Sequence, residues 1–408
     1  MNQNSTLSAS PRLYYFDWLR GIAFLILLFV HCAEVFVNWN FWIKNEETSD
    51  LVSFFTAFFL PWRMPLLFII SGAVVSSSFK RKTVENFLQE RFKRLMVPLL
   101  FAIFVVIPPQ IYFIKKYRGS TESFVEFYQS ILQFNWHFSP KGNLHFIHLW
   151  YLAYLLVYSL VFLPVLLFMR TDKGKYYLNR VAGIFSRPYI ILFLGVLVNL
   201  PYYLFTAFQP LPDYPALFLY YFPIFICGGI LWSNDTFRGS LSGNAYLALP
   251  LACVSTFILY YLSYRSGNPE FYFQNLIRTD NFLLFALKSS NQWFWILTFF
   301  GLAKRFLNFN SSSLSFTTSA VYPFYILHQT FIVAFGYYII KMNSSIFSKL
   351  ALLTILTFFC MISIHLLLLK RIKWLGMMFG VKPEKKEKPR GVIVTKRASA
   401  KQWVVFEE

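Results

Sequence analysis

A chain of 408 residues that is 57% hydrophobic, 21% aromatic and only 14% charged lies outside the balance of soluble globular domains, in which about 25% of residues are charged. Continuous apolar runs of roughly 20 residues recur from Phe16 to Leu369; each is long enough to cross a hydrocarbon core about 30 Å thick, and too uniformly apolar for the alternating strands of a barrel. The formal charge of +20 lies between and after these runs, where membrane topology puts it, so a nucleic-acid partner is not expected.

Broken at charged and turn-rich stretches, the chain reads as an all-α polytopic membrane bundle of about ten spans. They lie near 16–37, 52–79, 95–114, 149–169, 188–207, 215–232, 244–264, 281–303, 315–340 and 346–369. The first is about 20 residues long, contains Arg20 and lacks a small-residue cleavage site, so it is expected to be a retained span rather than a signal peptide. The cluster Gln209, Pro210, Pro212, Asp213 and Pro215 separates the fifth span from the sixth. Cys32, Cys227, Cys253 and Cys360 all fall in apolar segments without CxxC spacing, as buried side chains rather than a disulfide framework. Lys80, Arg81, Lys82, Arg91, Lys93 and Arg94 follow the second span; Arg170, Lys173, Lys175, Arg180 and Arg187 follow the fourth. The positive-inside rule makes both loops and both termini cytoplasmic. The expected organisation is a cytoplasmic segment 1–13, a membrane domain 14–370 and a basic cytoplasmic tail 371–408.

Candidate site residues begin in the first span. Arg20 and His31 are eleven residues apart, roughly 16 Å along a helix and close to three whole turns, so both project from one face. With Arg20 near the cytoplasmic interface, His31 comes near mid-membrane, where an ionisable side chain must face protein or water. Arg20 as a snorkelling anchor and His31 as a hydrogen-bonded structural residue are the competing readings. Glu34, one turn on, is a candidate for orienting His31, and so is His328 in the ninth span, within Tyr322-Pro323-Phe324-Tyr325-Ile326-Leu327-His328-Gln329.

Arg63 stands between Pro61 and Pro65, so it either points inward at a broken helix or marks the outer interface before the span begins. Arg91 and Arg94 share a helix face before the third span, suited to phosphate or pyrophosphate or to ordinary anchoring. The stretch from Lys115 to His148 carries His137, His145 and His148 and is followed by Trp150, but no Cys, Asp or Glu completes a metal-ligand set, so no metal is expected. An aromatic acceptor platform fits this loop better.

Taken in order, Arg20 followed by ten residues and then His31, Phe68-Ile69-Ile70-Ser71-Gly72, Arg91-Phe92-Lys93-Arg94 with Pro98, and Tyr325-Ile326-Leu327-His328 resemble the membrane-bound acyltransferase family 3. Trp62-Arg63-Met64-Pro65 and His148-Leu149-Trp150-Tyr151 are similar to its subgroup that includes periplasmic glucan modification proteins. The resemblance implies a bacterial inner-membrane O-acyltransferase that takes an acyl group from cytoplasmic acyl-CoA to a carbohydrate or glycolipid acceptor. It implies His31 as catalytic group with Glu34 and Arg20, and Arg63, Arg91, Arg94, His148, Trp150, Tyr325 and His328 as binding residues. Transfer to an amine, or a transporter that performs no chemistry, are the alternatives. The family's aspartate-glycine-leucine lead-in reads Asp17-Trp18-Leu19 here, and no fused soluble domain is expected after the tenth span.

Overall fold

Helix follows helix wherever the chain is described, because a backbone in lipid must satisfy its polar groups within the segment. The structure is a computed structural model that describes residues 13–132, 146–187, 189–208, 213–267 and 281–381. His137, His145 and the tail beyond Val381 lie outside the described residues.

The helices are α1 (Tyr14–Ala33), α2 (Asp50–Phe59), α3 (Arg63–Phe79), α4 (Val84–Arg91), α5 (Val97–Val105), α6 (Ile107–Tyr117), α7 (Phe124–Leu132), α8 (Trp150–Val161), α9 (Leu163–Phe168) and α10 (Asp172–Phe185). They continue as α11 (Leu194–Phe208), α12 (Asp213–Leu231), α13 (Asp235–Gly243), α14 (Ala245–Arg265), α15 (Phe282–Phe306), α16 (Ser312–Ile339), α17 (Ile346–Ile364) and α18 (Lys373–Met378). Hydroxyl and amide side chains open many of them: Ser49 accepts from the Val52 N–H, Thr171 from Gly174 and Asn281 from Leu284.

Five stretches among the described residues are long and apolar enough to cross a membrane: Tyr14–Ala33, Asp50–Phe79, Val84–Tyr117, Ala245–Arg265 and Ile346–Leu369. There are seven if two bent pairs each count as one span: Asp172–Phe185 with Ile190–Thr206, bent by 101°, and Pro215–Leu231 with Asp235–Gly243, bent by 109°. Both α15 and α16, of 25 and 28 residues, are long enough but carry buried polar groups, among them Asn291, Gln292, His328 and Gln329. Such residues lower the apolarity of a helix whose polar face turns into the bundle.

Two prolines shape the segment that carries Arg91 and Arg94. A proline has no N–H to give to the carbonyl four residues earlier. Pro98 therefore leaves the Arg94 carbonyl without its helical donor, and the Tyr322 hydroxyl of α16 donates to it instead, at 2.5 Å. Pro108 leaves the Phe104 carbonyl in the same condition, and the Tyr128 hydroxyl donates to it at 2.8 Å. The five residues Phe92–Met96 between α4 and α5 form a π-helical turn, a form that concentrates at functional sites.

Small residues let α3 and α12 meet backbone to backbone. A Cβ on Gly72 would stand 1.9 Å from the Phe225 carbonyl oxygen, and one on Gly228 would stand 2.2 Å from the Ile69 carbonyl oxygen. The Ser71-Gly72 pair of α3 thus has a packing role on one side, while on the other the Ser71 and Tyr151 hydroxyls share a hydrogen bond of 2.6 Å. Beyond the last long helix the chain returns to the bundle: Phe379 packs edge-on against Phe101 of α5, and Gly380 lies against the Tyr322 ring.

Candidate active site

At its C-terminal end α1 turns one face toward α16 and the start of α8. His31 and Glu34 are three residues apart, so their side chains meet on that face. His31 Nδ1 lies 2.6 Å from Glu34 Oε2. A carboxylate can only accept, so Nδ1 carries the proton, and the lone pair of the neutral imidazole is left on Nε2. Arg63, the first residue of α3, reaches inward and donates from Nη2 to Glu34 Oε1 at 3.4 Å; among the described residues its Nη1 has no partner.

Two further histidines extend the group. His328 of α16 is fully buried, its ring centroid 5.4 Å from that of His31 and 5.1 Å from that of His148. Backbone carbonyls set both tautomers: His328 Nδ1 donates to the Tyr325 carbonyl at 2.7 Å, and His148 Nε2 donates to the Ile326 carbonyl at 3.0 Å. The Tyr325 hydroxyl donates back to the His148 carbonyl. This reciprocal pair ties the start of α8 to α16. Ile147, immediately before His148, has φ of 39°, a left-handed conformation that β-branched residues avoid and that costs on the order of 1–3 kcal/mol.

A cavity of about 400 Å³ opens beside these groups, lined by Leu27, His31, Glu34, Phe41, Trp42, Arg63, Met64, Ile147, His148, Trp150, Leu217, Tyr325 and Gln329. It brings together His31, Glu34, Arg63, His148, Trp150 and Tyr325 of the sequence-derived set. His328 is not in its wall but directly behind it, against His31 and His148.

Arg20, Arg91 and Arg94 belong to a second group. Arg20 is within electrostatic reach of Tyr151, Arg94, Asp17 and Tyr322, and Tyr322 is in turn within reach of Arg91. Glu90 partly offsets these charges: it pairs with Lys82, lies 3.5 Å from Arg91 Nη2 and lies 3.6 Å from Arg94 Nη1. Arg91 is buried over the Phe87 ring, its Nε without a partner among the described residues. Three guanidinium groups and the Lys82 ammonium outnumber the carboxylates of Glu90 and Asp17, so the group is cationic.

Sequence reasoning passed over Glu90, Tyr322, Phe41, Trp42 and Gln329. Gln329 was the most accessible of them, since a glutamine beside a histidine inside an apolar run is the same kind of signal that singled out His328. Among the described residues no group of three or more His, Cys, Asp or Glu side chains is arranged to hold a metal ion.

The family description "Acyltransferase domain" matches residues 13–368. Relatives include "Glucans biosynthesis protein C" of Salmonella typhi, 22% identical over 406 residues, with 94% of this chain and 98% of the relative covered. The protein of the same name from Salmonella typhimurium is similar to the same extent, 22% identical with the same coverage. No solved structure matches. The chain belongs to the acyltransferase 3 family, as a membrane protein that transfers acyl groups other than amino-acyl groups.

Proposed function

We propose that the protein moves an acyl group from cytoplasmic acyl-CoA to a hydroxyl of an extracytoplasmic glycan or related acceptor. The observation that carries this reading is the His31–Glu34 pair at the wall of the cavity. Glu34 holds the Nδ1 proton, so His31 Nε2 takes the proton of the acceptor hydroxyl as its oxygen attacks the thioester carbonyl. The tetrahedral intermediate collapses with loss of the CoA thiolate, which receives that proton from His31. Glu34 stabilises the imidazolium that exists between the two transfers, a role that favours His31 as general base over a transient acyl carrier. The charge of Arg63 stands beside the same cavity, where the oxyanion develops.

The donor reading rests on Arg20, Arg91 and Arg94, whose guanidinium groups suit the phosphates of CoA. Arg20 precedes His31 by roughly 16 Å of helix, a separation the extended pantetheine arm of CoA can bridge. A glucan acceptor is suggested by the relatives' name. In this reading residues 14–370 form a ten-span domain of the bacterial inner membrane with both termini cytoplasmic, and 371–408 form a basic cytoplasmic tail.

The test is release of CoA by purified protein in lipid nanodiscs supplied with acetyl-, succinyl- or longer acyl-CoA and a glucose oligosaccharide. The reading expects release that requires both substrates and a mass increase on the sugar. Transport of intact sugar with no CoA released would overturn it.

A further inference from the structure

Most polar atoms of the cavity wall are spoken for, but a few are not. Gln329, 1% exposed, has no partner among the described residues for Oε1, and His148, 8% exposed, has none for Nδ1. The tautomer of His148 makes Nδ1 a lone-pair acceptor, and a glutamine Oε1 can only accept. Buried acceptors without donors are costly in a protein interior, and buried polar groups that go unpaired inside a protein call for an explanation. Both residues line the one cavity that also holds His31. Around them stand the aromatic side chains Phe41, Trp42 and Trp150. Apolar walls with a few polar groups describe a recognition site, and because the wall also holds an unpartnered buried donor, Arg63 Nη1, the ligand must bring both donors and acceptors, as hydroxyl groups do.

We infer that this cavity holds one sugar ring of the acceptor, with its hydroxyls donating to Gln329 Oε1 and His148 Nδ1 and its carbon face against the aromatic walls. Gln329 is then a specificity-determining residue, and the hydroxyl left over, the one nearest His31 Nε2, is the one acylated. A polyol supplies several O–H donors at once and so satisfies both acceptors. A simple alcohol has only one, and a fully etherified sugar has none. This inference rests on the hydroxyl-acceptor reading above and deepens it.

The experiment separates binding from turnover. The protein carrying His31→Ala is titrated with a glucose oligosaccharide while the intrinsic tryptophan fluorescence, to which Trp42 and Trp150 of the wall contribute, is followed. Saturable quenching is expected, and it weakens at least tenfold when Gln329→Met, which keeps the length and removes the acceptor, is added. A second arm leaves the protein alone and changes the ligand: deoxyfluoro analogues, each lacking one O–H donor, should bind at least tenfold more weakly at two or more ring positions. Absence of saturable quenching by the parent sugar overturns the inference, and so does equal binding of all the analogues, which stands even if Gln329→Met fails to fold. The CoA-release assay of the unmutated protein judges the transfer reading separately. Turnover with unselective sugar binding would remove only the inference, whereas selective sugar binding without CoA release would remove only the transfer.

Discussion

Glu34 Oε2 stands 2.6 Å from His31 Nδ1, and the same carboxylate is bridged by its other oxygen to Arg63 Nη2 at 3.4 Å. One acidic side chain therefore sets the tautomer of the histidine and holds a guanidinium at the cavity. Glu34→Gln keeps the shape but replaces the carboxylate with an amide that can also donate, so the tautomer is no longer imposed and the imidazolium is no longer stabilised. The expected loss is about 10²–10⁴-fold in kcat, read by CoA release at saturating substrates. A variant within twofold of the parent would show that the pair is structural.

The Tyr322 hydroxyl caps the Arg94 carbonyl that Pro98 leaves open. Tyr322→Phe removes one hydrogen bond, worth about 1 kcal/mol, at the turn that aims Arg91 and Arg94. The KM for acyl-CoA should rise about fivefold while the KM for the acceptor stays put. Titrating each substrate in turn decides this, and an equal rise in both would move Tyr322 from donor positioning to general stability.

Burial of Arg91 over Phe87 with an unpartnered Nε leads to a sharper expectation for the donor. Arg91→Lys keeps the charge and loses the planar fork that binds phosphate at two points. Binding of CoA, followed calorimetrically with purified protein, should weaken at least tenfold in Arg91→Lys and in Arg94→Met. Unchanged CoA affinity in both variants would leave these arginines as topological anchors.

Gly72 meets the Phe225 carbonyl where a Cβ would stand only 1.9 Å away. Backbone cannot swing aside as a side chain does, so Gly72→Val must separate α3 from α12. Overpacking of this kind costs about 1–3 kcal/mol or more, and the variant should show a lower Tm and poorer recovery from detergent. A Tm equal to that of the parent would contradict the close approach of the two helices.

Much of this site was legible in the sequence because lipid makes polar residues conspicuous. His31, Arg63 and His328 stood out for their cost in an apolar run, and the three-turn spacing of Arg20 and His31 put both on the face that meets α8 and α16. What spacing along one helix cannot reveal is the partner across the bundle. Tyr322 beside Arg94, and His148 beside His328, are 228 and 180 positions apart in the chain, and each pairing depends on how α16 lies against its neighbours. The role of Pro98 was hidden for a similar reason: the missing N–H is visible in sequence, but the tyrosine that makes good the loss is not. Helix breaks were harder still, because the bends of 101° and 109° come at short polar stretches that read equally well as ordinary loops. Glu90 was masked by the six basic residues nearby, Lys80, Arg81, Lys82, Arg91, Lys93 and Arg94, whose charge dominates any composition window.

The most direct test of the account is a side-by-side measurement of CoA release by the unmutated protein and by His31→Ala in nanodiscs, with acyl-CoA and a glucose oligosaccharide both present. The account predicts release by the former that stops when either substrate is omitted, and release at the no-enzyme background by the latter. Equal rates from the two proteins would contradict the assignment of His31 as the group that takes the acceptor proton.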